Sequence, residues 1–243
     1  MSVESVPIVH IVKRSGKRQK YTNNKIERYL NELASKRPIL NEISPKDVCS
    51  RITLAQDMTT VALADHIAEV CAALTVRHWQ YGILGGRAVA AMLHRQTPNT
   101  FTEAVCALEH ILDPKFVACC QRNQATFNDM IVHDRDFQYD IMGLRTLQRS
   151  YLLKLHNIII ERPQYMLMRV AVALHGDDIE QVRATYEATS NLLYTHATPT
   201  LFHAGMKKQQ LASCFLMTMT DDSIEGIFET LKRCALISKG ACG

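Results

Sequence analysis

No apolar run in the 243 residues approaches the roughly 18 needed to span a bilayer. The N-terminal MSVESVPIVHIVKRSGKRQK also lacks the charged-then-apolar layout of a signal peptide. Both absences predict a cytoplasmic protein with no membrane partner. Thiols stay reduced in that compartment, so the eight cysteines (49, 71, 106, 119, 120, 214, 234 and 242) do not read as a disulfide framework. None forms a CxxC pair, which argues against a zinc site, and each reads first as a small buried apolar residue. His10, His66, His78, His94, His133, His196 and His203 show no metal spacing with carboxylates, so no metal is expected. GxSxG, Walker A and GxGxxG patterns are missing, as are internal repeats and low-complexity tracts.

What is present supports a folded protein. Hydrophobic residues make up 47% and charged residues 21% of a chain long enough for one large domain or two small ones. The net charge of +4 falls short of a dedicated nucleic-acid binder but suits anionic small ligands such as nucleotides.

Most of the chain reads as helix. PIVHIVK and RQKYT, separated by RSGK, predict a β-hairpin. Asn23 or Asn24 is expected to cap a helix from Lys25, with Ile26, Tyr29, Leu30 and Leu33 at helical spacing. Ser44-Pro45 is a helix start, and Thr59 or Thr60 caps the pattern running from TTVALAD to RHW. YGILGGRAVAAMLHRQ is a further helix despite three glycines. Helices follow in FTEAVCALEHILDPKFVACCQRNQ, ERPQYMLMRVAVALHG (Met166, Leu167, Val170 and Leu174 on one face) and DDIEQVRATYEATSNLLYT. ATPTLFHAG reads as extended and SCFLMTM as a strand. DDSIEGIFETLKRCALISKG closes the chain as a helix, with Asp222 and Glu225 in a capping-box pattern and Ile224, Ile227, Phe228, Leu231 and Ala235 as an apolar stripe.

Two places have spacing that permits more. The N-terminus of the last helix could bind a ligand through free N–H groups, or the helix could be amphipathic and nothing else. The hairpin carries Lys13, Arg14, Lys17, Arg18, Lys20 and Lys25 with no acid between them. That is either a solvated basic surface or a phosphate-binding lip. Only Tyr21 is placed to stack on a base, so nucleic acid is not the expected partner.

Several stretches, in order, resemble the N-terminal third of the large subunit of class I ribonucleotide reductase, eukaryotic and viral type. They are IVKRSGK, TTVALAD, ILGGRAVAAMLH, HDRDFQYDIMGLRTLQRSYLLK, ERPQYMLMRVAVALH, THATPTLFHAG and QLASCFLMTMTDDSIEGIFETLKRCALISK. The resemblance implies a mainly α chain in three parts. These are an ATP-cone (β-hairpin plus helices) over 8–98, a helical domain over 99–195, and the start of a ten-stranded α/β barrel over 196–243.

In the cone, where ATP activates and dATP inhibits, the family's nucleotide contacts match Lys13, Arg14, Gly16, Lys25 and Thr60. Gln19 stands where a glutamate is usual, Asn24 and Ala64 where aspartates are, and Arg95 where a lysine is. Charged acceptors hold ribose hydroxyls and amino groups about twice as strongly as neutral ones. The cone is therefore expected to be degenerate, with weakened dATP inhibition.

In the barrel, the resemblance implies substrate-binding residues at Ala197, Thr198 (where serine is usual) and Ser213, and one half of the redox-active cysteine pair at Cys214. There a thiyl radical takes the ribose 3′ hydrogen. The paired thiols reduce the 2′ carbon as water leaves and end as a disulfide, which a mobile dithiol then resets by exchange. By spacing alone Cys214 remains one more buried thiol. Asp222, Ser223, Ile224 and Lys239 match the specificity site for ATP and dNTP effectors. Asp222 and Lys239 stand roughly 25 Å apart on one straight helix, which implies a site shared across a homodimer pairing the 222–239 helices.

The substrates implied are ribonucleoside diphosphates. The implied partners are a small subunit carrying a di-iron tyrosyl radical, and thioredoxin or glutaredoxin as reductant. The radical cysteine has no counterpart here, so this chain alone is expected to be inactive. Two classes stay open: the N-terminal portion of the enzyme, or a truncated homologue acting as a binding or regulatory protein.

Overall fold

The structure is a computed structural model and describes residues 9–240. Pro7 and Ile8 of the expected first strand, and Ala241, Cys242 and Gly243, lie outside the described residues. In chain order, β1 (His10–Val12) pairs antiparallel with β2 (Arg18–Lys20), as the hairpin pattern predicts. The connecting turn is closed by Gly16 N–H donating to the Lys13 carbonyl at 2.8 Å. Gly16 sits at φ +77°, a left-handed conformation costly for residues with a Cβ.

Helix α1 (Asn23–Ala34) starts two residues before the expected Lys25. Thr22, whose backbone is still extended, is its N-cap, and Asn23 and Asn24 are already inside the helix. The short α2 (Pro45–Cys49) follows Ser44, and β3 (Met58–Thr59) joins the sheet parallel to β1, giving the order β2-β1-β3. Thr59 caps α3 (Thr60–Leu74), its hydroxyl accepting from Ala62 N–H at 3.1 Å. Helix α4 (Gln80–Gln96) tolerates its glycines because they lie in the buried interior of the packing.

The predicted helix at 101–124 is broken into α5 (Phe101–Ala107), α6 (Pro114–Arg122) and α7 (Gln124–Met130), because Pro114 can only begin a helix. A 3-10 turn (His133–Gln138), α8 (Ile141–Thr146) and a π-helical turn (Leu147–Tyr151) lead to a two-stranded hairpin, β4 (Lys154–Leu155) and β5 (Ile158–Ile159). Helices α9 (Pro163–His175), α10 (Ile179–Ser190), α11 (Thr198–His203) and α12 (Ile224–Lys239) complete the chain.

Two compact units result. The first takes the described residues up to Gln96 together with Asp134–Ser150; the second takes Thr97–His133 and the described residues from Tyr151 onward. In the first unit, Leu30, Leu33, Val48, Ile67, Leu84 and Ala88 form a core that also holds Phe137, Ile141 and Leu144. Arg87 lies fully buried in it and donates to the carbonyls of Leu33, Ala34, Lys36, Pro38 and Phe137. Burial lowers the pKa of that guanidinium from its ordinary value.

The second unit is built around α9, which is buried on every side from Pro163 to Val172, with Gln164 and Arg169 buried along with its apolar residues. The single apolar face expected for it is thus too narrow a description, and Leu174 of that face is exposed. ATPTLFHAG, expected to be extended, is helical as α11. Pro199 sits in the first turn, where its missing N–H costs nothing, and Leu201 N–H donates to the Ala197 carbonyl at 3.1 Å. SCFLMTM forms no ladder. It runs exposed, since a strand's backbone groups need a neighbouring strand, and among the described residues none lies beside it. Ser223, not Asp222, caps α12, accepting from Gly226 N–H at 3.1 Å.

Gly86 supplies a test of the first unit. A Cβ there would lie 2.2 Å from the Tyr139 carbonyl oxygen and 2.7 Å from the Asp140 carbonyl carbon. Gly86→Ala gains about 1 kcal/mol of helix propensity but must displace backbone, and overpacking costs about 1–3 kcal/mol or more. The expected result is a lower urea midpoint by circular dichroism; an unchanged midpoint would mean that the 139–140 backbone yields freely.

Candidate functional site

In the second unit a buried ion pair sets the site. Arg169 on α9 and Glu161 just before it are 1% and 3% exposed at their side chains. Arg169 Nε donates to Glu161 Oε1 at 2.6 Å and Nη2 to Oε2 at 3.2 Å. The remaining guanidinium donors reach the α11 end of the chain, the Ala204 carbonyl at 2.6 Å and the Leu201 carbonyl at 3.0 Å. Glu161 Oε2 also accepts Leu153 N–H at 3.0 Å. Helix α11 is thereby bonded to α9 through its C-terminal carbonyls, groups that a helix cannot satisfy internally.

From α11 the chain returns along itself. Thr200 Oγ1 donates to the Leu211 carbonyl at 2.9 Å, and His203 donates from Nδ1 to the Gln210 carbonyl at 3.0 Å. These two bonds hold residues 210–211 against the helix, and Ser213 and Cys214 follow immediately. The Ser213 hydroxyl donates to Cys214 Sγ at 3.6 Å. Ala197 is the N-cap of α11 and Thr198 its first residue, with the Thr198 hydroxyl 3.0 Å from the Tyr151 hydroxyl. The structure thus places Ala197, Thr198, Ser213 and Cys214 on two segments that are bonded to each other.

Cys214 is exposed, as are Cys106 and Cys234, against the expectation of buried thiols. Cys71, Cys119 and Cys120 are buried, as expected. Burial pushes the Cys71 thiol up to about 12 and raises Cys120 as well; Cys119 is raised by burial and by its hydrogen bond to Asp177. Those three are held as neutral thiols and are poor nucleophiles.

The effector candidates are not gathered. Asp222 and Ser223 stand at the N-terminal end of α12 and Lys239 at its last residue, one unbroken 16-residue helix apart. Ile224, Ile227, Phe228 and Leu231, the expected apolar stripe, are 43–67% exposed.

The hairpin candidates lie in the first unit. The β1–β3 register pairs Val12 with Thr59, which sets Lys13 and Thr60 at the same end of the ladder. Arg14 Nη1 donates to the Arg95 carbonyl, and the Arg95 guanidinium lies 5.8 Å from the Tyr29 ring centre. Gln19 pairs with Ile11 on β2, and Asn24 and Lys25 fall in the first turn of α1. Ala64 is buried on α3. Of the six hairpin cations, Arg18 is paired with Asp57, its Nε donating at 2.8 Å, so the lip is less free than its sequence implies. Nothing in the local sequence singles out Asp57, Glu161 or Tyr151; only three-dimensional pairing does.

Residues 137–209 match the family described as ribonucleotide reductase, all-alpha domain. The chain is 41% identical over 97% of its length to the ribonucleoside-diphosphate reductase large subunit of Arabidopsis thaliana. It is 40% identical over 97% to large chain 2 of Saccharomyces cerevisiae and 40% over 96% to the large subunit of Variola virus. It spans 30%, 28% and 32% of those proteins' own lengths.

Thiol labelling tests the burial pattern. With a small alkylating reagent at pH 8, Cys106, Cys214 and Cys234 are expected to react in the native chain, and Cys71 and Cys120 only after denaturation. A thiol titrating near 12 is almost wholly protonated at pH 8, so raising the pH to 9 should leave native Cys71 unlabelled. Native labelling of Cys71 or Cys120 at the Cys214 rate would contradict the packing.

Proposed function

We propose that this chain, which matches the N-terminal portion of ribonucleoside-diphosphate reductase large subunits along nearly its whole length, takes part in reducing ribonucleoside diphosphates to their 2′-deoxy forms. The observation that carries the reading is the exposed Ser213-Cys214 pair on a segment bonded to the helix that begins at Thr198. Hydroxyl donors at Thr198 and Ser213 suit the oxygens of a diphosphate, and a solvent-accessible thiol beside Ser213 suits a reductant. Cys214 would form a disulfide with a partner thiol as the 2′ hydroxyl leaves as water. Thioredoxin or glutaredoxin would return the pair to thiols by exchange, and a separate small subunit with a di-iron tyrosyl radical would supply the radical.

Asp222, Ser223 and Ile224 at one end of α12, and Lys239 at the other, would bind ATP or dNTP effectors as halves of two sites in a homodimer. The exposed apolar stripe of α12 supports that pairing, because it has the spacing of a helix face that packs on a second helix. The first unit would serve as a degenerate ATP-cone, reading nucleotides through Lys13, Arg14, Gly16, Gln19, Asn24, Lys25, Thr60 and Arg95. Its buried Ala64 offers no acceptor where the family has a carboxylate, so dATP is expected to bind the full chain more weakly than submicromolar, measured by calorimetry. Submicromolar binding would overturn the degenerate-cone reading.

Catalysis is tested on the endogenous protein, isolated by pull-down, weighed by intact mass spectrometry and assayed for conversion of CDP to dCDP. A product about three times 27.5 kDa that forms dCDP, and loses that activity on Cys214→Ser, is the expected result. A product at 27.5 kDa that forms none would overturn the enzyme reading in favour of a binding or regulatory homologue.

A further inference from the structure

Tyr151 touches the candidate substrate helix twice. Its hydroxyl lies 3.0 Å from the Thr198 hydroxyl, and its ring packs on Phe202 with centres 4.9 Å apart at 40°. Thr198 and Phe202 are one helical turn apart, so one side chain grips one face of α11 at both levels. Tyr151 is also the last residue of the π-helical turn Leu147–Tyr151, an irregularity that costs helix hydrogen bonding and recurs at functional sites.

The chemistry of the hydroxyl pair is directional. A phenol is a stronger acid than an alcohol, so Tyr151 is the better donor and Thr198 the better acceptor. Thr198 then keeps its own proton free to donate elsewhere, and the chain of hydrogen bonds strengthens that donation. A threonine hydroxyl would otherwise choose among rotamers or bond back to its own helix. We infer that Tyr151 is a positioning residue, fixing the Thr198 rotamer so that its proton points at an oxygen of the diphosphate substrate. This rests on the reading of Thr198 as a substrate contact and adds to it a residue that acts through Thr198.

The test uses the full 243-residue chain, CDP as probe, and threonine methyl labelling for NMR. Three-bond couplings at Thr198 are expected to report one rotamer in the wild-type chain and averaging in Tyr151→Phe, which keeps the ring against Phe202. Calorimetry is expected to show CDP affinity falling about five- to tenfold in Tyr151→Phe. In a Thr198→Val background the same change should have no further effect. An averaged Thr198 in the wild-type chain that still binds CDP overturns the positioning role alone. An equal further loss in the Thr198→Val background also overturns it, since Tyr151 would then act independently of Thr198. A single Thr198 rotamer with no CDP affinity at millimolar concentration overturns the substrate reading, and the substrate-positioning role with it.

Discussion

The buried Arg169–Glu161 pair is the constraint from which the candidate site follows. Two charges removed from water are stable only if their mutual attraction and their hydrogen bonds replace what water gave, and the net benefit of such a pair is small. Losing one partner is another matter, costing about 3–5 kcal/mol because the other charge is left buried and uncompensated. Here both ions are satisfied. The guanidinium donates to the carboxylate and to the Leu201 and Ala204 carbonyls, while the carboxylate also accepts the Leu153 amide. The pair therefore specifies geometry more than it adds stability. It fixes the end of α11, α11 holds residues 210–211 through Thr200 and His203, and Ser213 and Cys214 follow from there.

A comparable logic separates the thiols. Cys71, Cys119 and Cys120 are sealed in packed interiors, where the thiolate is disfavoured, whereas Cys214 stands in solvent on a segment that has no sheet neighbour among the described residues. The apolar groups near it, Leu216 and Met219, and the stripe of α12 are exposed as well. In the reading proposed above, the stripe of α12 is the surface that a second subunit would cover.

Local chemistry made much of this fold legible. The Thr59 cap, the Ser44-Pro45 start and the glycine hairpin turn are signals carried by one or two adjacent residues, and the structure has all three where they were expected. What depended on distant partners was not legible. SCFLMTM has strand composition but, among the described residues, no partner strand, and ATPTLFHAG is helical where an extended piece is expected because Pro199 falls in the first turn of a helix. That residues 134–150 pack with the first unit depends on Arg87 and on Phe137, Ile141 and Leu144 meeting a core built some 50 positions earlier, for which no short-range pattern exists. At the candidate site, only the family resemblance singles out Thr198, Ser213 and Cys214; by spacing alone Cys214 reads as one more buried thiol. The groups that hold them, Glu161, Arg169 and Tyr151, are visible only once the chain is folded.

The most direct measurement is hydrogen–deuterium exchange on the Glu161→Gln chain beside the wild type. Glutamine keeps an acceptor near Arg169 but removes the countercharge. Loss of amide protection in Leu201–Ala204, with protection in α3 and α4 unchanged, is the expected result. Undiminished protection of α11 would contradict the claim that the buried pair is what holds the candidate site in place.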